Sequence, residues 1–123
     1  MPIILTIAAI FGFLAVALGA FGAHALKEAL SAYGQTIWEK AVLYQMFHTL
    51  AIFLLMALKD SIQPGRLELI GWLFIAGILL FSGSLYLLAF TQKSWLGAIT
   101  PLGGIAFLAG WGFLIWELLF HKI

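Results

Sequence analysis

The sequence predicts an all-α membrane protein: a four-transmembrane-helix bundle that forms one domain over residues 1–123. The first observation is composition, since 64% of the residues are hydrophobic and 9% are charged. A soluble domain is about 45–50% apolar and about 25% charged. The second observation is spacing, because nearly all charges lie between four apolar stretches long enough to cross about 30 Å of hydrocarbon. Lipid is therefore the expected solvent for most side chains.

The first span is expected at about residues 3–23, a stretch without any charged residue. The alternative is a cleaved secretory signal peptide, since Ala23-His24-Ala25 fits a small-x-small cleavage site. However, no Lys or Arg precedes the apolar run, and the run is longer than the usual core of a signal peptide. We therefore expect a membrane span that is retained.

The other three spans are expected at about residues 36–58, 69–91 and 101–120. Thr100 would then be the N-cap of the fourth helix and Pro101 its first residue, where a missing N–H is tolerated. The alternative is a helix that begins near Trp95 and kinks at Pro101. Four tryptophans near span ends are expected to form an interfacial belt: Trp38, Trp72, Trp95 and Trp116.

The orientation of the chain is not decided by charge. Four spans place both termini and the second connection on one side, called side A, and the other connections on side B. Side A carries Lys59, Arg66 and Lys122, and side B carries Lys27, Lys40 and Lys93. This tie under the positive-inside rule permits dual topology, although a free amino terminus slightly favours a cytoplasmic side A.

Polar side chains in the spans are expected to face the bundle interior, because exposure to hydrocarbon is costly. On the second helix, helical spacing places one stripe inward: Ala41, Tyr44, Gln45, His48, Ala51, Ile52 and Leu55. The polar part of this stripe and the polar residues of the third helix fall in the half of the membrane nearer side B. We call this group the polar layer: Tyr44, Gln45, His48, Thr49, Ser82, Ser84 and Tyr86.

Small residues predict where helices approach closely. In the same half of the membrane, the predicted close-packing glycines are Gly19, Gly22, Gly83, Gly103 and Gly104. The first helix carries small residues on one face from Ala8 to Gly22, and the fourth carries a stripe from Gly103 to Glu117. Glu117 would point inward near side A, where His121 can pair with it. The alternative is that Glu117 lies at the interface and pairs with His121 or Lys122. Small faces also suit contacts between subunits, so a homo-oligomer is expected.

His48 is the residue with two open interpretations. It could be a proton relay or ligand-binding group, or a neutral imidazole that locks helix packing. Gln45 and Thr49 are expected to bond between helices, and Ser82 and Ser84 to bond back to their own helix carbonyls.

No metal site is predicted, because His24, His48 and His121 differ in depth by about 10 Å or more. The chain has no cysteine, and no cofactor site is predicted. A net charge of +1 gives no reason to expect a nucleic-acid partner, so membrane lipids and further copies of the chain are the expected partners.

Four motifs resemble one known family. They are GAFGAHALK at 19–27, YQMFH at 44–48, FSGSLY at 81–86 and ITPLGG at 99–104, followed by Gly110-Trp111. The chain resembles the domain-of-unknown-function 423 family, which is related to transmembrane protein 256. The resemblance implies a compact four-span protein, commonly bacterial, of the plasma or inner membrane, and it implies no established activity.

These observations support three functional hypotheses. The first is a non-enzymatic protein that binds a lipid or small hydrophobic ligand, or assists a membrane partner, through the polar layer. The second is a small oligomeric or dual-topology transporter or ion pathway that uses His48. The third, an intramembrane enzyme, lacks a visible nucleophile–base pair or paired carboxylates.

Overall fold

The predicted all-α fold is confirmed by a computed structural model, which describes residues 1–120. Its helices are α1 (Pro2–His24), α2 (Ala32–Ala57), α3 (Pro64–Gly77), α4 (Gly83–Thr91) and α5 (Thr100–Phe120). A π-helical turn, Ile78–Ser82, joins α3 and α4 into one continuous rod. Four rods in the described part are therefore long and apolar enough to cross a membrane.

The rod formed by α3 and α4 is the most enclosed of the four. It packs between α2 and α5, while α1 packs mainly on α2 and also touches α3. Towards side A the core is centred on Ile4, Ile52 and Phe74. A second cluster towards side B includes Trp38 and Leu85. We call the rod formed by α3 and α4 the central rod. Because α2 and α5 both pack on it, they border a groove on its surface.

Helix α2 begins at Ala32 rather than near Thr36. Ser31 caps it, since the Ser31 hydroxyl accepts a hydrogen bond from the Gly34 N–H at 3.0 Å. Such a cap satisfies one of the N–H groups that the first helical turn leaves without a partner. The third span also begins earlier than expected, at Pro64, where proline's fixed φ suits the first turn.

The fourth rod runs from Ser94 to Phe120, as in the alternative of a helix that begins near Trp95. A short 3-10 helix, Ser94–Ala98, precedes α5, and Thr100 is the first residue of α5 rather than its N-cap. The Thr100 hydroxyl lies 2.6 Å from the Ser84 hydroxyl on α4. The predicted capping role of Thr100 is wrong because this hydroxyl joins two helices instead.

Trp38 is not part of an interfacial belt. Its side chain is buried, and its indole N–H donates to the Leu18 carbonyl on α1 at 2.9 Å. The other three predicted belt tryptophans are exposed at the surface of the bundle: Trp72, Trp95 and Trp116. The predicted place of Trp38 in the interfacial belt is wrong because contact with α1 covers its side chain. Its position near a span end does not reveal that contact.

Candidate functional site

The residues of the polar layer mostly lie inside the bundle. Five are buried: Gln45, His48, Thr49, Ser82 and Ser84. Tyr86 is half-buried, and Tyr44 lies at the margin with 37% of its surface exposed. The predicted inner stripe of α2 is therefore wrong only at Tyr44, whose ring is covered on one side by Phe81 and Phe107 and exposed on the other. A ligand-binding role for these residues stays a prediction.

Gln45 is the centre of the first hydrogen-bonded cluster. Its amide nitrogen donates to the Phe11 carbonyl on α1 at 2.7 Å, and its amide oxygen accepts from the Tyr86 hydroxyl at 2.7 Å. One side chain thus joins α1, α2 and α4, as expected for a residue that bonds between helices. In hydrocarbon such bonds stabilise a bundle by about 0.6 kcal/mol each on average.

The two serines behave differently. Ser82 donates to the Ala41 carbonyl of α2 at 2.7 Å, so the expected bond to its own helix is wrong. Ser84 does bond back, to the Phe81 carbonyl at 3.0 Å, and also contacts Thr100. The two serines are two positions apart on the helix and so point in different directions, Ser82 towards α2 and Ser84 towards the start of α5.

His48 is the centre of a second, separate cluster. Its Nδ1 lies 2.9 Å from the Tyr44 carbonyl, and its Nε2 lies 3.0 Å from Nε1 of Trp111. Since an indole N–H can only donate, Nε2 must accept, and the proton of a neutral imidazole is then on Nδ1. The ring also stacks on Phe107, with centroids 3.6 Å apart and planes 10° apart. His48 therefore joins α2 to α5 as a neutral imidazole.

Trp111 is the residue of this site that the sequence-based analysis missed. It is one of five tryptophans, and it lies in the middle of α5 rather than near a span end. An indole N–H at that depth finds no water and so requires an acceptor from the protein. An indole N–H in the middle of a span is therefore the feature of the sequence that indicates a hydrogen-bond partner such as His48.

A groove lies between α2 and α5, beside the His48–Trp111 pair. Its volume is about 530 Å³. Its walls are aromatic or aliphatic apart from His48, and Phe81 is the one residue that the central rod contributes. The lining residues are Leu43, Tyr44, Phe47, His48, Phe81, Gly104, Phe107, Leu108 and Trp111. We call this the aromatic groove. A smaller groove of about 180 Å³ lies between α1 and the central rod, and Gln45, Ser82 and Tyr86 line it. Thr49 and Ser84 line neither groove.

Three of the five predicted close-packing glycines make close contacts. An added Cβ would lie 3.3 Å from Val42 at Gly19, 2.2 Å from the Trp38 indole at Gly22, and 2.3 Å from the Phe81 backbone nitrogen at Gly103. The structure adds four more such glycines: Gly34 against Ala89, Gly71 against Ile4, Gly77 against Phe107 and Gly110 against Phe74.

The close-packing prediction is wrong for Gly83 and Gly104. A Cβ at either position would meet no atom of residues 1–120 within 4 Å. Both glycines line a groove instead, Gly104 the aromatic groove and Gly83 the smaller one.

Glu117 is buried and faces inward, as expected. Arg66 is its ion-pair partner in the described part of the chain, with Arg66 Nε 3.0 Å from Glu117 Oε1. The Gln63 N–H also donates to Oε2 at 3.4 Å, so the carboxylate joins the start of α3 to the end of α5. The predicted pairing with His121 or Lys122 lies outside the described residues.

Thr49 carries the one buried side-chain oxygen for which residues 1–120 offer no hydrogen-bond partner. Its methyl group lies 3.6 Å from where a Gly12 Cβ would be. Thr49 therefore packs against α1 through its methyl group, and the expected hydrogen bond between helices is wrong.

Comparison with known proteins agrees with the motifs. The family model described as "Protein of unknown function (DUF423)" matches residues 18–104. The Bacillus subtilis UPF0382 membrane protein YwdK is 47% identical over 90% of this chain and 91% of its own length. The Staphylococcus saprophyticus UPF0382 membrane protein SSP2132 is 44% identical over 94% of this chain and 95% of its own length.

A UPF0382 membrane protein of Haemophilus influenzae is 49% identical over 87% of this chain and 86% of its own length. No solved structure matches this chain. The match over most of the sequence, together with four membrane-capable rods, shows that this chain is a membrane protein and belongs to the DUF423 family.

Proposed function

We propose that this protein is a non-enzymatic component of the bacterial plasma or inner membrane that binds a lipid or small hydrophobic molecule. The observation that carries the proposal is the aromatic groove, whose volume is about 530 Å³. Ligand sites are typically clefts of about 300–1,000 Å³ with mostly apolar walls and a few placed polar groups. Here the polar groups are those of His48, Trp111 and Tyr44.

Gly104 gives the proposal further support. Packing within residues 1–120 does not require a glycine there, since a Cβ would have free space. A glycine inside a membrane helix also costs backbone entropy relative to alanine. Its missing side chain keeps the aromatic groove open, which is a property useful to an occupant rather than to the fold.

The test is native mass spectrometry of the protein released from mild detergent, with wild type compared with Gly104→Leu. Gly104 lines the groove and has free space for a Cβ, so we expect a leucine side chain there to occupy the groove and the variant to retain less bound lipid. Gly112→Leu is the matched control: it lies on the same helix, is equally open, and borders a different groove. Equal retention of the same molecules by all three proteins would contradict the proposal.

The same spectra report the number of subunits, which tests the expected homo-oligomer. They also test the alternative that the protein assists a membrane partner, because a stable protein partner would add mass beyond whole copies of the chain. A complex with another protein and no lipid would favour that alternative.

A transporter or ion pathway through His48 is supported less well by the geometry. Both ring nitrogens already bond to the protein, and protonation of Nε2 would break its bond with the Trp111 N–H. A proton relay needs a ring nitrogen that exchanges protons with a pathway. Proton flux in liposomes that carry the wild-type protein, absent with His48→Gln, would reverse this judgement.

A further inference from the structure

We infer that the occupant of the aromatic groove is an uncharged lipid with a planar, carbonyl-bearing ring, which is the chemistry of a membrane quinone. The inference rests on the proposed function and adds the chemical class of the ligand. Three features of the groove carry it: the aromatic walls, the unused phenol of Tyr44, and the opening towards the surrounding lipid.

The walls suit a flat ring better than a flexible acyl chain. Besides the imidazole of His48, five aromatic side chains line the groove: Tyr44, Phe47, Phe81, Phe107 and Trp111. Two pairs are already stacked, Tyr44 on Phe81 with centroids 4.4 Å apart and His48 on Phe107 at 3.6 Å. A planar ligand that adds to such stacks gains a directional attraction that an aliphatic chain lacks.

The polar groups of the groove select the head of the ligand. Within residues 1–120, the lining residues of the groove are uncharged, so none of them would compensate a charged headgroup in hydrocarbon. The ring nitrogens of His48 and Trp111 are already hydrogen-bonded: Trp111 Nε1 donates to His48 Nε2, and His48 Nδ1 bonds the Tyr44 carbonyl. Tyr44 lines the groove with its ring stacked on Phe81. Within residues 1–120 its hydrogen bond to a side chain is made by the backbone carbonyl, and its hydroxyl makes none. A phenol in apolar surroundings seeks an acceptor, and a ring carbonyl oxygen supplies one.

The tail of such a lipid would leave the groove at its rim. Leu43 and Phe47 on α2, and Leu108 on α5, line the groove and are exposed on the outside of the bundle. In a membrane these side chains contact acyl chains, so an isoprenoid or alkyl tail can run from the ring into the bilayer without crossing polar atoms.

The experiment measures binding of decyl-benzoquinone to the full chain in nanodiscs. The readouts are quenching of tryptophan fluorescence and native mass spectrometry. We expect saturable binding to wild type, binding weakened about threefold to tenfold by Tyr44→Phe, which removes one hydrogen bond, and no saturable binding to Gly104→Leu. Tyr33→Phe is the matched control, because Tyr33 is exposed near the start of α2, outside the aromatic groove, and it should bind as wild type does.

Several results would overturn the inference. Quinone binding that survives Tyr44→Phe undiminished would exclude the contact with the phenol. Binding that survives Gly104→Leu would place the quinone elsewhere. No saturable quinone binding, with lipid retention still sensitive to Gly104→Leu, would remove the quinone class and leave the proposed function standing. If Gly104→Leu changes neither quinone binding nor lipid retention, both proposals are contradicted.

Discussion

At the scale of single residues, the polar side chains of this protein serve first to hold helices together. Gln45 spans three helices with two hydrogen bonds, and His48 joins α2 to α5 through Trp111. In hydrocarbon a lost partner is not replaced by water, so each pair acts as a unit. Ligand binding at His48 would therefore use the shape of the groove more than free nitrogen atoms.

Trp111→Phe is expected to destabilise the bundle by about 0.5–1.5 kcal/mol, because His48 Nε2 loses its donor while the aromatic packing remains. The measurement is unfolding in mixed micelles with rising sodium dodecyl sulfate. Trp95→Phe is the control, since Trp95 is exposed. A double-mutant cycle with His48→Phe should show that the two losses are not additive, and simple additivity would exclude the direct bond.

The neighbouring glycines Gly103 and Gly104 are expected to respond oppositely to alanine. A Cβ at Gly103 would lie 2.3 Å from the Phe81 backbone nitrogen, whereas a Cβ at Gly104 has free space. Gly103→Ala should cost about 1–3 kcal/mol through overpacking. Gly104→Ala should be neutral or stabilising by up to about 1 kcal/mol. Detergent unfolding of both variants checks this, and equal effects would refute the close contact.

At the scale of elements, the π-helical turn Ile78–Ser82 takes up one extra residue in the central rod. Ser82 at the end of the turn reaches Ala41, and Ser84 just beyond it reaches Thr100. Such turns occur often at functional sites, and here Phe81 of the turn lines the aromatic groove.

Deletion of Leu79, which is exposed in this turn, should restore a regular helix and leave the face of α4 nearly unchanged, because a π-helical turn takes up one extra residue. The native chain has no cysteine, so an introduced pair can report the rotation of α4. Ser84→Cys with Thr100→Cys should form a disulfide under oxidation in the parent and in the deletion variant. The pair Gly12→Cys with Thr49→Cys, between α1 and α2, is the control that should cross-link in both. Loss of cross-linking by the first pair alone in the deletion variant would mean that the turn does not take up the extra residue.

At the scale of the whole molecule, orientation depends on a balance of single charges. Three Lys or Arg residues lie on each side of the membrane in the sequence-based count. The positive-inside rule responds to the difference between the sides. A chain with equal numbers of Lys and Arg residues on the two sides should therefore be reoriented by one substitution, which most membrane proteins resist.

Lys93→Gln is expected to shift the chain towards cytoplasmic termini, and Lys59→Gln towards the opposite orientation. The two variants serve as controls for each other, because both positions are exposed in short connections. Reporter domains active only in the cytoplasm or only outside it, fused to the C-terminus, measure the orientation. An unchanged single orientation in both variants would show that features other than charge decide it.

The sequence by itself determined the solvent, the number of spans and the inward direction of most polar groups. These follow from the cost of placing charges and unpaired polar atoms in hydrocarbon, a cost that each residue bears whatever its neighbours are. Buried Gln45, His48 and Ser84 illustrate this. The family could be recognised for the same reason, since its motifs fall on these positions and on the glycines beside them.

Only the tertiary structure decided which polar group meets which, and which glycine is crowded. His48 bonds Trp111, sixty-three positions along the chain. A Cβ added at Gly103 would meet Phe81, whereas one added at Gly104 would meet no neighbouring helix within residues 1–120. Helical periodicity gives the face of a residue but not the rotation of the neighbouring helix. That rotation depends on the packing of all four rods, which is a property of the assembled bundle rather than of any one segment.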